Sequence, residues 1–474
     1  MKKAKAGLVL LSAQWFIEVG LQGGASQRQQ ELARMVEGDL QRIRSTVEPH
    51  FELVDPGPIS SPEQAQRAVC QFHTEGAELV ILVHVMWSED PPLVRLLEGL
   101  GELPLVLWCY NPYSRLPERM SMEQLFRASG SVGFLQGSVP LSMLGKRFSF
   151  LFGSPESPDL HQGLAELSRV FAVRSSLRRL RIGRIGPPCR HMAGTYVDEP
   201  GLAAGVGVTV VPLSAYRLSQ EARTLEAATV ESFVVELKGR YRIDGVSDRA
   251  LEQAARASLA VGALVEKESL GAVAIEDLHP ELHELLGTRP CLWVPGLRER
   301  GVVVGMEADV LSVLGLWLAR NLGESTPMYT EVFTYDLEAN CLLLGHAAMH
   351  DPQLAGSNEI TIVPDREYEA SDPLEGAWMH FAAKRGPVTL VNLFGRGDAY
   401  RVFCLRGETL PTREKLAGFA HALVRIEPPV ARFFEQVGRL GMMQHFALSY
   451  DDITGRLETL CRIEGMEYTL LGVG

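Results

Sequence analysis

Glu307, Glu331 and His346 stand out in this 474-residue chain because their types and settings can do chemistry. They lie in the stretch from Gly301 to Asp351, GVVVGMEADVLSVLGLWLARNLGESTPMYTEVFTYDLEANCLLLGHAAMHD. The valine run Val302 to Val304 reads as a buried strand, and Glu307 follows just beyond its end. Tyr329 to Leu337 is a second strand-like run, with Glu331 among apolar neighbours, and Cys341 to Gly345 is a third that delivers His346. Carboxylates are costly to bury unless something pairs with them. Two of them and an imidazole at the ends of successive apolar strands point to a divalent metal. Each residue also has a plainer reading. Glu307 can be an acid facing the N-terminus of the apolar helix Val310 to Leu322, and His346 a hydrogen-bonded core histidine. His350, four residues on, is an alternative donor. His279 and His283, in HPELHELL, can share a helix face, but they lack an acid partner and read as surface histidines. Asp309 and Asp336 read as supporting acids rather than ligands.

The segments GMEAD, TEVFTYDLEAN and LLLGH resemble the metal-binding segment of the L-arabinose isomerase family, within the wider arabinose and fucose isomerase group. A late segment, GMMQHFALSYDD, extends the resemblance to His445. The resemblance implies four metal ligands, Glu307, Glu331, His346 and His445. These oxygen and imidazole donors suit Mn²⁺, with Co²⁺, Zn²⁺ or Mg²⁺ as alternatives. A six-coordinate ion so held keeps two places for substrate oxygens. The implied activity is aldose–ketose isomerisation of an open-chain pentose, hexose or deoxy-sugar by enediol proton transfer. That route needs a base at one carbon, an acid at its neighbour and a cation on the two oxygens. Glu307 and Glu331 supply the acid–base pair.

Two glutamines resemble residues near the sugar in that family: Gln14 in SAQW and Gln136 in FLQGS. Gln14 falls just past the first strand, where open α/β sheets bind ligands. A loop-capping role is the other reading of both. The chain departs from the family at two points. Gln444 stands where the family has the first of paired histidines, and Glu307-Ala308-Asp309-Val310 stands where it has EGDW. A homo-oligomer is also implied, a tetramer or hexamer in which the N-terminal domain of one subunit closes the site of another. Two other classes remain open. One is a non-catalytic sugar-binding protein on the same scaffold, which would not need two acid–base glutamates. The other is a metal-dependent epimerase or aldolase with similar ligands.

Composition narrows the partners. The formal net charge is −12, which argues against nucleic acid or an anionic membrane surface and leaves a small-molecule sugar. Seven scattered cysteines without a CxxC pair read as thiols in a reducing compartment. The start, MKKAKAGLVLLSAQW, has too short an apolar run for a signal segment, and no stretch approaches membrane-spanning length. The expected location is the cytoplasm.

The elements that must position these residues follow from the apolar pattern. Gly7–Ser12, Phe51–Val54, Leu79–Val85, Pro104–Trp108 and Phe148–Phe152 read as strands alternating with helices, so the first domain is α/β with a parallel sheet. A Gly-rich turn, 20–24, precedes a helix capped by Ser26, and Ser61-Pro62 opens another. A second α/β unit begins near Arg181. Its strands are expected at 205–211, 271–275, 291–294 and 302–304, and its helices at 219–237 and 248–268. Neither GVG nor GRIGPP has phosphate-cradle spacing. Strand-like runs then dominate, at 359–363, 387–394, 400–406, 445–449 and 467–471, with helices expected at 412–424 and 453–464. The expected architecture is therefore α/β: two doubly wound parallel-sheet domains, 1–173 and 174–326, and a mainly β, barrel-like domain, 327–474.

Overall fold

The computed structural model describes residues 3–13, 27–365, 376–396, 399–412 and 415–472. Two compact units result, Met1–Ser175 and Ser176–Gly474.

The first unit is one parallel sheet. Its strands are β1 (Lys5–Leu11), β2 (Glu52–Val54), β3 (Pro58–Ile59), β4 (Leu79–His84), β5 (Leu105–Tyr110) and β6 (Phe148–Gly153). They lie in the order β2-β1-β4-β5-β6, with β3 beside the end of β1, and every ladder is parallel. The continuous apolar sequences of β1 and β4 follow from burial on both faces of such a sheet. Ser61 and Gln64 close a capping box at the start of the helix Pro62–Glu75, as the Ser61-Pro62 signal predicts.

The second unit carries the remaining strands. They are β7 (Arg181–Ile185), β8 (Thr209–Leu213), β9 (Arg242–Ile243), β10 (Ala272–Ile275), β11 (Val303–Met306), β12 (Met328–Asp336), β13 (Cys341–His346), β14 (Thr361–Pro364), β15 (Ala377–His380), β16 (Gly386–Arg396), β17 (Ala399–Leu410), β18 (Ala420–Ile426), β19 (His445–Ser449) and β20 (Glu467–Leu470). A four-stranded parallel sheet runs β11-β10-β7-β8. A closed antiparallel barrel runs β16-β19-β12-β13-β18-β17, with β17 pairing back onto β16 and β20 added parallel to β17. Closure leaves this sheet without free edges except at β20. The helix Val310–Leu322 links the two layers, leaving β11 and packing against β10, β16 and β19. Nearly all its residues are buried, which is why its sequence is apolar on every side.

Three sequence expectations are corrected. Cys291–Val294 is buried but forms no strand; it lies under the helix Asp248–Lys267, where the Leu292 amide donates to Ser258 Oγ. The expected helix at 412–424 is not formed among its described residues: 415–419 are irregular and β18 starts at Ala420, its helix-favouring Ala and Leu residues enclosed between β13 and β17. The expected helix at 219–237 is two, Ala215–Thr224 and Ala227–Arg240. The helix Val430–Leu440 was not foreseen. The turn 20–24 and the Ser26 cap lie outside the described residues. Among the described residues no helix is long and apolar enough to cross a membrane, and none of the seven cysteines is in a disulfide, five of them being buried.

Candidate metal centre

The site is built where the parallel sheet meets the barrel within the second unit. β11 ends at Met306, and the chain then takes two consecutive left-handed residues, Glu307 at φ 60° and Ala308 at φ 49°. Non-glycine residues in this region cost about 1–3 kcal/mol each and persist only where surrounding bonds hold them. Those bonds are present. The Glu307 amide donates to Asp277 Oδ1 at 2.9 Å, and the Ala308 amide donates to the Ile275 carbonyl at 2.9 Å. Asp277 is itself held by Arg289 at 3.1 Å, and Arg289 grips Asp365 through two bonds of 2.8 Å while stacking on Trp378. His283 Nε2 adds a 2.7 Å bond to the Asp277 carbonyl. The corner thus throws the Glu307 side chain towards the barrel mouth.

The barrel answers with two histidines. His346 ends β13, and His445 opens β19. His346 Nδ1 is engaged with the Ala347 carbonyl at 3.0 Å, which leaves Nε2 facing Glu307 Oε1 at 3.7 Å. His445 donates from Nδ1 to Asp309 Oδ2 at 2.8 Å, which turns Nε2 towards Glu307 Oε2, also 2.8 Å away. Asp309 is the N-cap of the helix Val310–Leu322, and its carboxylate also takes the Ser312 amide and hydroxyl. Asn392 fixes the His445 backbone by donating to its carbonyl at 2.8 Å. The Tyr329 ring lies beneath both imidazoles, 5.0 and 4.9 Å from them, and its hydroxyl donates to the Met306 carbonyl.

Glu307, His346 and His445 are all buried and bring one donor atom each within 4.8 Å of one another. Glu307 Oε2, His346 Nε2 and His445 Nε2 are all buried without an aligned hydrogen-bond partner. Glu307 and His445 face each other at 2.8 Å and His346 Nε2 stands beside them, and three donor atoms so gathered fit a divalent cation. The electrostatics agree. Burial disfavours a proton on His445, yet Asp309 and Glu307 outweigh it and push the pKa up to about 10. Burial would raise Glu307, but His445, His346 and Arg289 hold it below the usual carboxylate range. Asp309 and Glu307 thus concentrate negative charge on the two nitrogens of the His445 ring. The residues present fit a metal ion.

Glu331 is placed differently. It sits directly opposite His445 in the β12–β19 ladder and opposite Gly345 in the β12–β13 ladder. Directly opposed residues share a face of the sheet, so Glu331 leaves it on the side His445 uses. It is half-buried and stands outside the three-residue cluster. His350 is not in the cluster either. It is fully buried and engages the His346 carbonyl through Nε2, with burial pushing its pKa down to about 4. His279 caps the helix Pro280–Leu286, while His283 is buried against Asp277 and is not the surface residue expected. Asp336 holds the turn after β12 by accepting the Ala339 amide. Gln444 is exposed and reaches Met192 Sδ.

In the first unit, the Gln136 amide is engaged at both ends: Trp87 Nε1 donates to its oxygen, and its nitrogen donates to Asp90, each at 2.9 Å. Gln14 lies outside the described residues. Sequence reasoning missed Asp277, Arg289, Asp365 and Glu276. Glu276 is a buried carboxyl at the end of β10 whose pKa is pushed up to about 7 by burial and by Asp277 and Glu307. Its sequence signal is an acidic pair, Glu276-Asp277, closing the apolar run Ala272–Ile275.

No model of a protein family matches the chain. Individual proteins do. The chain is 22% identical over 416 residues to a sulfoquinovose isomerase of Priestia megaterium, covering 86% of this chain and 89% of that one. It is 26% identical over 329 residues to a sulfoquinovose isomerase of Alkalicoccus urumqiensis, covering 67% and 70%. An L-arabinose isomerase of Anoxybacillus flavithermus is 24% identical over 486 residues, covering 96% and 93%. Over most of their length and most of its own, the chain is thus similar to sulfoquinovose and L-arabinose isomerases, at low identity.

Proposed function

We propose that the protein is a metal-dependent aldose–ketose isomerase that acts on an open-chain sugar. The observation that carries this is the convergence of Glu307 Oε2, His346 Nε2 and His445 Nε2, all buried and all without aligned partners. Glu307, His346 and His445 would hold the ion, and Glu331 completes the set from the facing strand. A divalent ion there would polarise the two substrate oxygens that exchange roles; Mn²⁺ is the proposed ion, with Co²⁺, Zn²⁺ and Mg²⁺ as alternatives. One glutamate takes a proton from the hydroxyl-bearing carbon and the other returns one to its neighbour, while the hydroxyl's own proton passes to the former carbonyl oxygen. Asp309 keeps the His445 ring in one orientation, and the Asp277–Arg289 pair keeps Glu307 in place. The relatives' names put sulfoquinovose and L-arabinose first among the sugars to try. Gln14 and Gln136 are proposed as sugar contacts, as the resemblance implies.

The test is ketose formation from a panel of aldoses, before and after chelation. Activity that EDTA abolishes, and that Mn²⁺ or Co²⁺ restores better than Mg²⁺, is the expected result. Full activity after exhaustive chelation with no metal detected overturns the metal reading. Sugar binding without turnover on any sugar favours the binding-protein alternative.

A further inference from the structure

We infer that Glu276 is a substrate-binding residue of this site, whose carboxyl hydrogen-bonds a hydroxyl of the open-chain sugar next to the reacting carbons. The inference rests on the proposed reading of the site as that of a sugar isomerase. β10 and β11 are parallel neighbours, with Ile275 opposite Met306. The next residue of each, Glu276 and Glu307, therefore emerge side by side at the carboxyl edge of the sheet, where open α/β sheets take ligands. Glu276 is 3% exposed, and its Oε2 is buried without a hydrogen-bond partner.

The neighbouring acids are committed elsewhere. Asp277 serves Arg289 and the Glu307 amide, Asp309 serves His445 and Ser312, and Glu307 faces the two histidines. Glu276 has the Cys189 thiol as its hydrogen-bond neighbour, a weak partner for a carboxyl. An unmet buried oxygen costs free energy that an apolar residue at this position would avoid. The chain also makes room for this side chain. Gly186 turns at φ +94°, and a Cβ there would stand 2.8 Å from the Glu276 Cβ. A glutamate seated in a glycine corner, beside the candidate ion ligands and short of one partner, is the kind of fixed polar group that orients a ligand in a pocket.

The experiment uses two probes read separately by calorimetry: Mn²⁺ titrated into the metal-free protein, and an open-chain pentitol, which cannot be isomerised, titrated into the Mn²⁺-loaded protein. Glu276→Ala is expected to weaken pentitol binding by about tenfold or more and to leave Mn²⁺ affinity within about twofold. Glu276→Gln, which keeps a donor and an acceptor in the same shape, should lose less. A set of deoxy-pentitols then names the hydroxyl, because the deletion that weakens binding to the native protein should cost nothing further in Glu276→Ala. Unchanged pentitol affinity in Glu276→Ala overturns the inference. So does a parallel fall in Mn²⁺ affinity, which would make Glu276 part of the ion's own setting. If the native protein binds Mn²⁺ but no pentitol, the sugar reading of the site fails, and this inference fails with it.

Discussion

Glu307 and the imidazoles divide the work of the candidate centre in a way that substitutions can separate. Glu307→Gln keeps the side chain's shape but removes its charge and its proton capacity. At saturating Mn²⁺ it is expected to lower turnover by roughly 10²–10⁴-fold, and Glu331→Gln likewise. His346→Asn should lose mainly metal affinity, and excess Mn²⁺ should restore much of its activity. Steady-state kinetics across a Mn²⁺ titration checks this; near-normal turnover in either glutamate variant would remove that residue from the acid–base pair. Asp309 tests the orientation of His445. It is not a proposed ligand itself but fixes the imidazole through Nδ1 at 2.8 Å. Asp309→Asn should weaken Mn²⁺ binding by about 10–100-fold, measured by calorimetry on the purified variant. Unaltered affinity would show that the cap of the helix Val310–Leu322 is its whole role.

At the scale of elements, the corner after β11 depends on a buried chain of charges. Arg289 is buried between Asp277 and Asp365, and removing one partner of such a set leaves uncompensated charge. Arg289→Leu should cost about 3–5 kcal/mol, read as a lower denaturation midpoint with an unchanged slope. In the first unit, the helix Gly130–Met143 lays its small residues over His84: a Cβ at Gly133 or Gly137 would lie 2.9 Å from the imidazole. That enclosure explains why burial pushes the His84 pKa from 6.5 to about 4. The folded value lies below the unfolded one, so the unfolded chain binds the extra proton. Stability is therefore full above pH 6.5 and falls as pH drops towards 4. His84→Gln should flatten the melting temperature over that window.

These cases also mark what could be read from the sequence. The parallel strands were legible because burial on both faces leaves uninterrupted apolar runs, and His445 opens a strand just where the resemblance set it. β18 was not legible, because Ala420, Ala422 and Leu423 carry helix propensity that barrel closure overrides. The brace behind Glu307 was not legible either. Asp365 lies 76 residues from Arg289, and only the fold brings the loop after β14 to the Asp277–Arg289 pair.

At the scale of the whole molecule, one surface is unlike the rest. From Ser129 to Gly145 the chain has no charged residue. One face of the helix Gly130–Met143 packs inward, yet the other also presents Val132, Leu135, Val139 and Met143, with Leu135 68% and Met143 80% exposed. Phe150 and Phe152 extend this face along β6, the edge strand of the sheet, and Phe134 joins helix to strand through its contact with Phe150. A helix that is apolar all round is ordinarily covered on all sides, and a continuous exposed apolar face usually marks an interface. A second copy of the chain is the occupant that the homo-oligomer implied by the resemblance, a tetramer or hexamer, would supply. Closed homo-oligomers bury such a patch against a copy of the same chain. Light scattering on the eluting protein should then give a mass several times that of one chain. Leu135→Glu combined with Phe152→Glu should lower that mass while leaving the circular dichroism of the folded chain unchanged, because both positions face away from the core. A native protein that runs as a monomer, or a double variant that assembles as the native protein does, would leave this face without that role.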